Sequence, residues 1–303
     1  MSESVLQPGH VAVVTGAGSG IGAALAEAFG AAGGRVVLAD VEEGALARVG
    51  RTLSDAGVEY LTVPTDVSDL EAVERLARAT VERFGRVDVL CNNAGVSTFN
   101  PITNQSLDDW RWVLDVNLWG VIHGVHVFLP VMLGQGTPTH IVSTSSLAGL
   151  LSGIPFLAPY SVSKVGVVSI SETLRNEMEI MGLPVGVSVL CPGWVNTKIV
   201  DAERNWPAHL GEKPDNDPAF GVMVNHARRA IAEGVTPASI ADAVATAVVA
   251  DRFWVIPQQD FLDLIIERWD TIAERLDPDP PENVPGMPPR SQIIAEVQQL
   301  LAP

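Results

Sequence analysis

Val11-Ala12-Val13-Val14-Thr15-Gly16-Ala17-Gly18-Ser19-Gly20-Ile21-Gly22 decides the fold. Its opening run is apolar without a break, as in a strand buried on both faces. A glycine-rich turn follows at once, and apolar residues then recur at helical spacing through position 32. Glycines let the backbone turn tightly and come close to a pyrophosphate. The helix start adds free N–H groups and the positive end of its dipole. A glycine repeat alone is a weak signal, and a turn of this kind can bind nothing. Its place between strand and helix favours the phosphate-binding reading.

The same rhythm continues outward. Further β-rich runs lie at 35–40, 60–64, 87–91, 140–144 and 185–191. Helical patterns at 42–56, 70–84, 107–133 and 162–181 separate them, and a helix at 237–250 and a strand at 253–256 follow. This alternation predicts an α/β fold, a doubly wound parallel sheet of Rossmann type with helices on both faces. Residues 1–276 are read as one dinucleotide-binding catalytic domain. Within it, 196–235 is long, polar and irregular, with Pro207, Pro214 and Pro218, and reads as a lid. Residues 277–303 read as a Pro-rich extended arm and a short helix, with Ser291 as N-cap. Ile293, Ile294, Val297, Leu300 and Leu301 would line one side of that helix.

Composition narrows the function. The 303 residues are 47% apolar and 18% charged, which fits a folded globular chain. Nineteen basic against thirty-six acidic side chains leave a net charge of −17. That field argues against nucleic-acid or membrane-surface partners. No uninterrupted apolar stretch suggests a membrane span, and residues 1–10 lack signal-peptide features. The two cysteines, Cys91 and Cys191, sit in apolar runs. They read as inert buried thiols, without a disulfide framework, in a reducing cytoplasm. Mean hydropathy is +0.24, high for such an acidic chain. A doubly covered sheet accounts for part of this, and a subunit interface for the rest.

Asp40 ends the second strand, 18 residues past Gly22. A dinucleotide fold places an acid there to accept hydrogen bonds from the adenosine ribose. It would also repel a 2′-phosphate, and neither Ser19 nor Val41 offers a cation beside it. NAD(H) is therefore favoured over NADP(H). Asp40 can equally cap the next helix, and the two roles are compatible.

Tyr160 and Lys164, in Tyr160-Ser161-Val162-Ser163-Lys164, share one helix face. Alone, the pair could be a solvated surface contact. Its chemical reading is a phenol whose pKa is drawn down from about 10 by a cation, fit for general acid/base work. Upstream, strand 140–144 runs into Ser145-Ser146-Leu147-Ala148-Gly149, where one hydroxyl could meet a substrate oxygen.

Together these residues resemble the short-chain dehydrogenase/reductase superfamily, in its TGxxxGxG and YxxxK branch. Thr15 to Gly22 looks like its glycine turn, and Asn92-Asn93-Ala94-Gly95 like its NNAG segment. Asp115-Val116-Asn117-Leu118 resembles its helix with the active-site Asn, and Pro192-Gly193 with Thr197 its PG motif and following Thr. Asp66-Val67 resembles its adenine-contacting pair. The match runs in order from about residue 9 to 198. It implies hydride transfer between a nicotinamide and a small-molecule alcohol or ketone, with Tyr160 as general acid/base. Lys164 would lower its pKa and bind the nicotinamide ribose, Ser146 would orient the substrate oxygen, and Asn117 would hold a relay water. Gly16, Ser19, Gly20, Ile21 and Gly22 would cradle the pyrophosphate. Asn93, Ala94 and Gly95 would lie beside the adenosine half. Pro192, Gly193, Val195 and Thr197 would meet the nicotinamide end.

The interval from Ser146 to Tyr160 is one residue longer than the family pattern, which leaves Ser145 as an alternative. Ser-Leu-Ala-Gly favours Ser146. The arm and terminal helix extend past the family pattern, so no role carries over to them. Trp194 and Trp206 are candidate substrate-pocket residues, with Phe220 a weaker one. His123 and His126 lack a third metal ligand and read as packing or interface residues; no metal is expected. Trp110, Trp112 and Trp119 read the same way. The family's long helices, here 107–133 and 162–181, imply a homo-oligomer, with a tetramer favoured. A catalytically silent dinucleotide-binding regulatory or scaffold protein is the alternative, disfavoured by the complete set Asn117, Ser146, Tyr160, Lys164. An epimerase or dehydratase fits the glycine frame less well.

Overall fold

The computed structural model describes residues 5–151, 153–213 and 221–301. Seven strands form one parallel sheet: β1 (Val11–Thr15), β2 (Arg35–Asp40), β3 (Tyr60–Pro64), β4 (Val89–Asn92), β5 (Thr139–Thr144), β6 (Val185–Leu190) and β7 (Trp254–Val255). Their order is β3-β2-β1-β4-β5-β6-β7, in register Val13↔Val37, Val13↔Leu90 and Ile141↔Val187. The strands alternate their side chains between two helical layers. On one face, Val14, Leu38 and Cys91 pack with α1 (Gly20–Ala31), α2 (Glu43–Asp55) and α9 (Pro237–Val249). On the other, Val13, Leu90 and Val187 pack with α3 (Leu70–Phe84), α5 (Gly120–Gly134) and α7 (Ala158–Met181). Burying one Leu or Phe in such layers contributes about 1.5–3 kcal/mol. This is the doubly covered sheet that continuous apolar strands require.

Several boundaries differ from the sequence expectation. The fourth strand starts at Val89, because Asp88 turns inward instead. Its carboxylate accepts the Val11 N–H at 2.8 Å and is paired with Arg86. The helix expected at 107–133 is three pieces: α4 (Leu107–Leu114), a π-helical turn (Asp115–Trp119) and α5. Leu107–Gly134 is long and apolar enough to cross a bilayer by length and composition, with hydropathy 1.6. Here it packs against α3 and α7. α7 starts at Ala158, not 162, with Pro159 in its first turn, and closes on Gly182 at φ +64°.

The segment 196–235 is not irregular throughout. It holds two 3-10 turns, Ile199–Asn205 and Ala208–Leu210, and the helix α8 (Gly221–Ala232). α8 buries Ala227, Ala230 and Ile231, a stripe narrow enough to be hidden among its polar residues. Phe220 lies outside the described residues. α6 (Leu147–Leu151) and α10 (Leu262–Glu274) were also not anticipated. α10 opens with a nearly continuous apolar run, Leu262 to Ile266, which masks helical period. The terminal helix α11 (Arg290–Leu301) begins one residue before Ser291. Ser291 is therefore not its N-cap, and its hydroxyl donates to Glu282 instead.

Candidate active site

Strand order reverses between β1 and β4, and at their carboxyl ends a cavity of about 1640 Å3 opens. The glycine turn forms its floor. Gly16 has φ +66°, and a Cβ there would lie 2.8 Å from Ala94 Cα. A Cβ on Gly22 would lie 2.1 Å from the Gly16 carbonyl oxygen. Only glycine fits either position. Ser19 precedes α1 in extended backbone and makes no side-chain cap, and the first turn carries no acid. The leading amides and dipole of α1 thus remain available to an anion. This cradle fits the pyrophosphate of a dinucleotide.

The expected adenosine and nicotinamide residues converge on the same cavity. Asp66, Val67, Asn93, Ala94, Gly95, Pro192, Gly193, Val195 and Thr197 all line it, as do Ser19, Gly20 and Ile21. Asp40 lines it too, with each oxygen already accepting a backbone N–H, from Gly18 at 2.9 Å and Glu42 at 3.0 Å. A carboxylate oxygen has two lone pairs, so capping and ribose binding remain compatible. Two residues beyond Asp40, Glu42 accepts from Arg204 and Asn205 of the lid at 2.9 and 3.0 Å, so the Arg204 charge is paired with Glu42. These contacts and the neighbouring Lys198 hold the Glu42 carboxyl below its usual range, although burial opposes them as the largest single influence. Asn93 acts partly as scaffold, donating to the Thr15 carbonyl at 3.0 Å.

The catalytic candidates meet deeper in. Tyr160 and Lys164 lie one turn apart on α7, with Nζ 5.5 Å from the phenol ring centroid. Lys164 is buried and donates to the Thr144 carbonyl at 2.9 Å, which fixes it to the end of β5. The two neighbouring serines separate cleanly. Ser146 lines the cavity with Tyr160 and its Oγ accepts from Ala148 N at 3.1 Å, whereas buried Ser145 donates to the Lys164 carbonyl at 2.8 Å. Ser145 is thus engaged in tying β5 to α7, and Ser146 is the more exposed hydroxyl of the two at the cavity. Asn117 sits inside the π-helical turn, a local device frequent at functional sites. Its amide donates to the Val96 carbonyl at 2.9 Å and to Ser163 Oγ at 3.1 Å, and its oxygen accepts from Val96 N at 2.8 Å. Both side-chain donors are spent, so only one lone pair of Oδ1 remains for a water.

Electrostatics corrects one expectation. Burial pushes the Tyr160 phenol up, outweighing the hydrogen bond from Ser146 that lowers it. Burial also draws Lys164 down to about 8. Spacing alone predicted a depressed phenol; desolvation of both groups dominates instead. Tyr160 is therefore a protonated donor at neutral pH. Cys91 and Cys191 are buried free thiols, and burial holds Cys191 up at about 12.

Trp194 and Trp206 both line the cavity. Trp206 stacks edge-on against Trp112 at 5.1 Å and donates to the Gly211 carbonyl at 3.1 Å. His123 packs at the adenosine side, its Nδ1 2.9 Å from the Val67 carbonyl oxygen. Among the described residues no three His, Cys, Asp or Glu side chains could hold a metal together. One supporting residue carries no sequence signal. Gln258, just past β7, accepts from Gly193 N at 3.0 Å and donates to the Trp194 carbonyl at 2.9 Å. α10, the arm and α11 also contribute to the cavity wall.

The family model for short chain dehydrogenases matches residues 10–208. The chain belongs to the short-chain dehydrogenase/reductase family. A family member from Burkholderia phymatum, solved with NAD, has 42% identity and a TM-score of 0.89. That match covers 91% of this chain and 99% of the other. A C alpha-dehydrogenase from Sphingobium sp. is 32% identical, over 89% of this chain and 87% of that protein. A 1-deoxy-11-beta-hydroxypentalenate dehydrogenase from Streptomyces avermitilis is 36% identical, over 84% and 86%. As a family member, the chain is an oxidoreductase that works with a nicotinamide dinucleotide on a small molecule.

Proposed function

We propose that this short-chain dehydrogenase/reductase interconverts a secondary alcohol and a ketone, with Tyr160 as general acid/base. The observation that carries the reading is the cluster of half-buried Tyr160 and Ser146 with buried Lys164, lining one cavity beside the glycine cradle. A nicotinamide dinucleotide, when bound, supplies or accepts the hydride. In the reductive direction Tyr160 gives its phenolic proton to the substrate oxygen, and Ser146 donates a hydrogen bond that orients that oxygen. Burial keeps the phenol protonated until the oxygen gains charge. Lys164, tethered to Thr144, stabilises the phenolate left behind. The remaining lone pair of Asn117 holds a water that returns the proton to Tyr160 through Lys164. In the oxidative direction the same groups accept the proton. Asp40 favours NAD(H) over NADP(H) by repelling a 2′-phosphate.

The substrate is apolar. Trp112, Trp194, Trp206, Phe156 and Leu264 line the cavity together with Tyr160. The relatives of Sphingobium and Streptomyces are dehydrogenases by name, which supports the reaction class. The two free thiols fit a reducing compartment, the cytoplasm. Exposed Leu107, Trp119, Val162 and Val165 on α4, the π-helical turn and α7 suit a subunit interface in a homotetramer.

Tyr160→Phe tests the mechanism. Turnover of an identified ketone should fall about 100-fold or more, while NADH titrated by its fluorescence still binds. Undiminished turnover in the variant would remove Tyr160 from proton transfer.

A further inference from the structure

The Pro-rich arm turns back over the cavity and becomes part of it. Trp194 is the joint. Its indole N–H donates to the Pro285 carbonyl at 2.7 Å, while Gln258 holds its backbone carbonyl. Gly286 lies flat against the ring. A Cβ there would approach Trp194 Cδ1 to 3.1 Å, on a backbone at φ +79° that disfavours side chains. Val284 packs in one cluster with Trp194, Leu147 and Phe261.

The arm's charged groups pair mainly with one another, although Arg290 Nε keeps no hydrogen-bond partner among the described residues. Arg290 bonds Asp279 and the Pro280 carbonyl. Glu282 accepts from the Ser291 hydroxyl and amide. His226 of α8 meets Glu296 of α11 at 2.7 Å, which joins the terminal helix to the lid helix. The arm and α11 add two kinds of group to the cavity lining: Asp279, Glu282 and Arg290, which pair within the arm, and hydrocarbon from Val284, Met287, Ile293, Ile294 and Val297. The cavity, at about 1640 Å3, exceeds the roughly 300–1,000 Å3 of an ordinary ligand site. It has room for a dinucleotide and a large second ligand.

The geometry points to the arm and α11 as the distal, selecting wall of the substrate chamber, which takes a bulky apolar alcohol or ketone of fused-ring or medium-chain size. The reacting end rests on the function proposed above; the selection of the body does not. Each methylene placed against this wall gains about fourfold in affinity. A polyhydroxylated body would leave the hydroxyls that face Val284, Met287 and Ile294 without partners, and binds more weakly.

Competition against Nile red in NADH-saturated protein tests this, with 2-butanone, 2-octanone and the fused-ring ketone 2-decalone as ligands. The wild type should bind 2-decalone at least about tenfold more tightly than 2-butanone. Met287→Trp, which fills the chamber, should lower that ratio at least about fivefold. Ile294→Trp should do the same from a position 46% exposed, where the substitution is well tolerated. NADH affinity and the thermal midpoint report whether each variant is folded. No preference in the wild type, or an unchanged ratio in both folded variants, overturns the wall. Selective binding with no turnover of any ketone overturns the redox reading and leaves the wall standing. Turnover with an unchanged ratio does the reverse.

Discussion

Asp40 spends one lone pair on each oxygen holding the turn from Gly18 to Glu42. What remains faces the cavity as a negative charge. Asp40→Ala should therefore lower the ratio of kcat/KM for NAD over NADP by at least about tenfold. The ratio is the proper readout, because loss of the two backbone bonds weakens both cofactors together. An unchanged ratio would remove Asp40 from cofactor choice. Tyr160 shows a limit of reading residues by spacing. The four-residue interval to Lys164 was visible in the sequence, and the two do share a face of α7. The burial of Lys164 and the half-burial of Tyr160 were not visible, because they depend on distant segments such as the end of β5, which Lys164 reaches at Thr144. Burial reverses the expected shift of the phenol. The choice between Ser145 and Ser146 was likewise open until the end of β5 was placed.

β5 and β6 share a buried polar pair that makes the sheet sensitive to acid. His140 is 1% exposed, with Nε2 2.7 Å from Ser188 Oγ. Burial pushes its pKa down to about 4, so the folded chain holds it neutral. The unfolded chain binds this proton near pH 6.5. Stability from the neutral ring is therefore complete above about pH 6.5 and is lost as pH falls toward 4. The total is of order 3 kcal/mol. Urea titrations across this window should show that fall, and His140→Gln should flatten it; an equal slope in the variant would contradict the assignment. At this scale the sheet was readable because buried parallel strands are apolar throughout. Elements that depend on distant partners were not. α8 buries only Ala227, Ala230 and Ile231, and α10, which touches α6, buries no residue fully, so neither carries the apolar weight that marks a core helix. The π-helical turn at Asn117 leaves no mark on a helical pattern either.

At the scale of the molecule, the apolar content divides among three places. The two helical layers take the largest share, from Leu25 to Val187. The cavity and its arm take another. The rest is exposed, with Trp119 at 50% and Leu107 at 71%. A homotetramer would cover that share, and the net charge of −17 would keep its outer surface solvated. Sedimentation at micromolar concentration should give a species of four chains; a monodisperse monomer would contradict it. The order of motifs from Thr15 to Thr197 already carried the oxidoreductase family, because most sit at strand ends and Tyr160 and Lys164 reach the same crevice from α7. The arm carried no such pattern, and only its folding back onto Trp194 connects it to the site. The most direct measurement of the chemistry is label transfer from NADH deuterated at the nicotinamide C4, on each face in turn, to an apolar ketone. The expected result is one deuterium on the carbinol carbon of the product alcohol, lost with Tyr160→Phe. NADH binding with no deuterium in any product across a broad panel of ketones would contradict it.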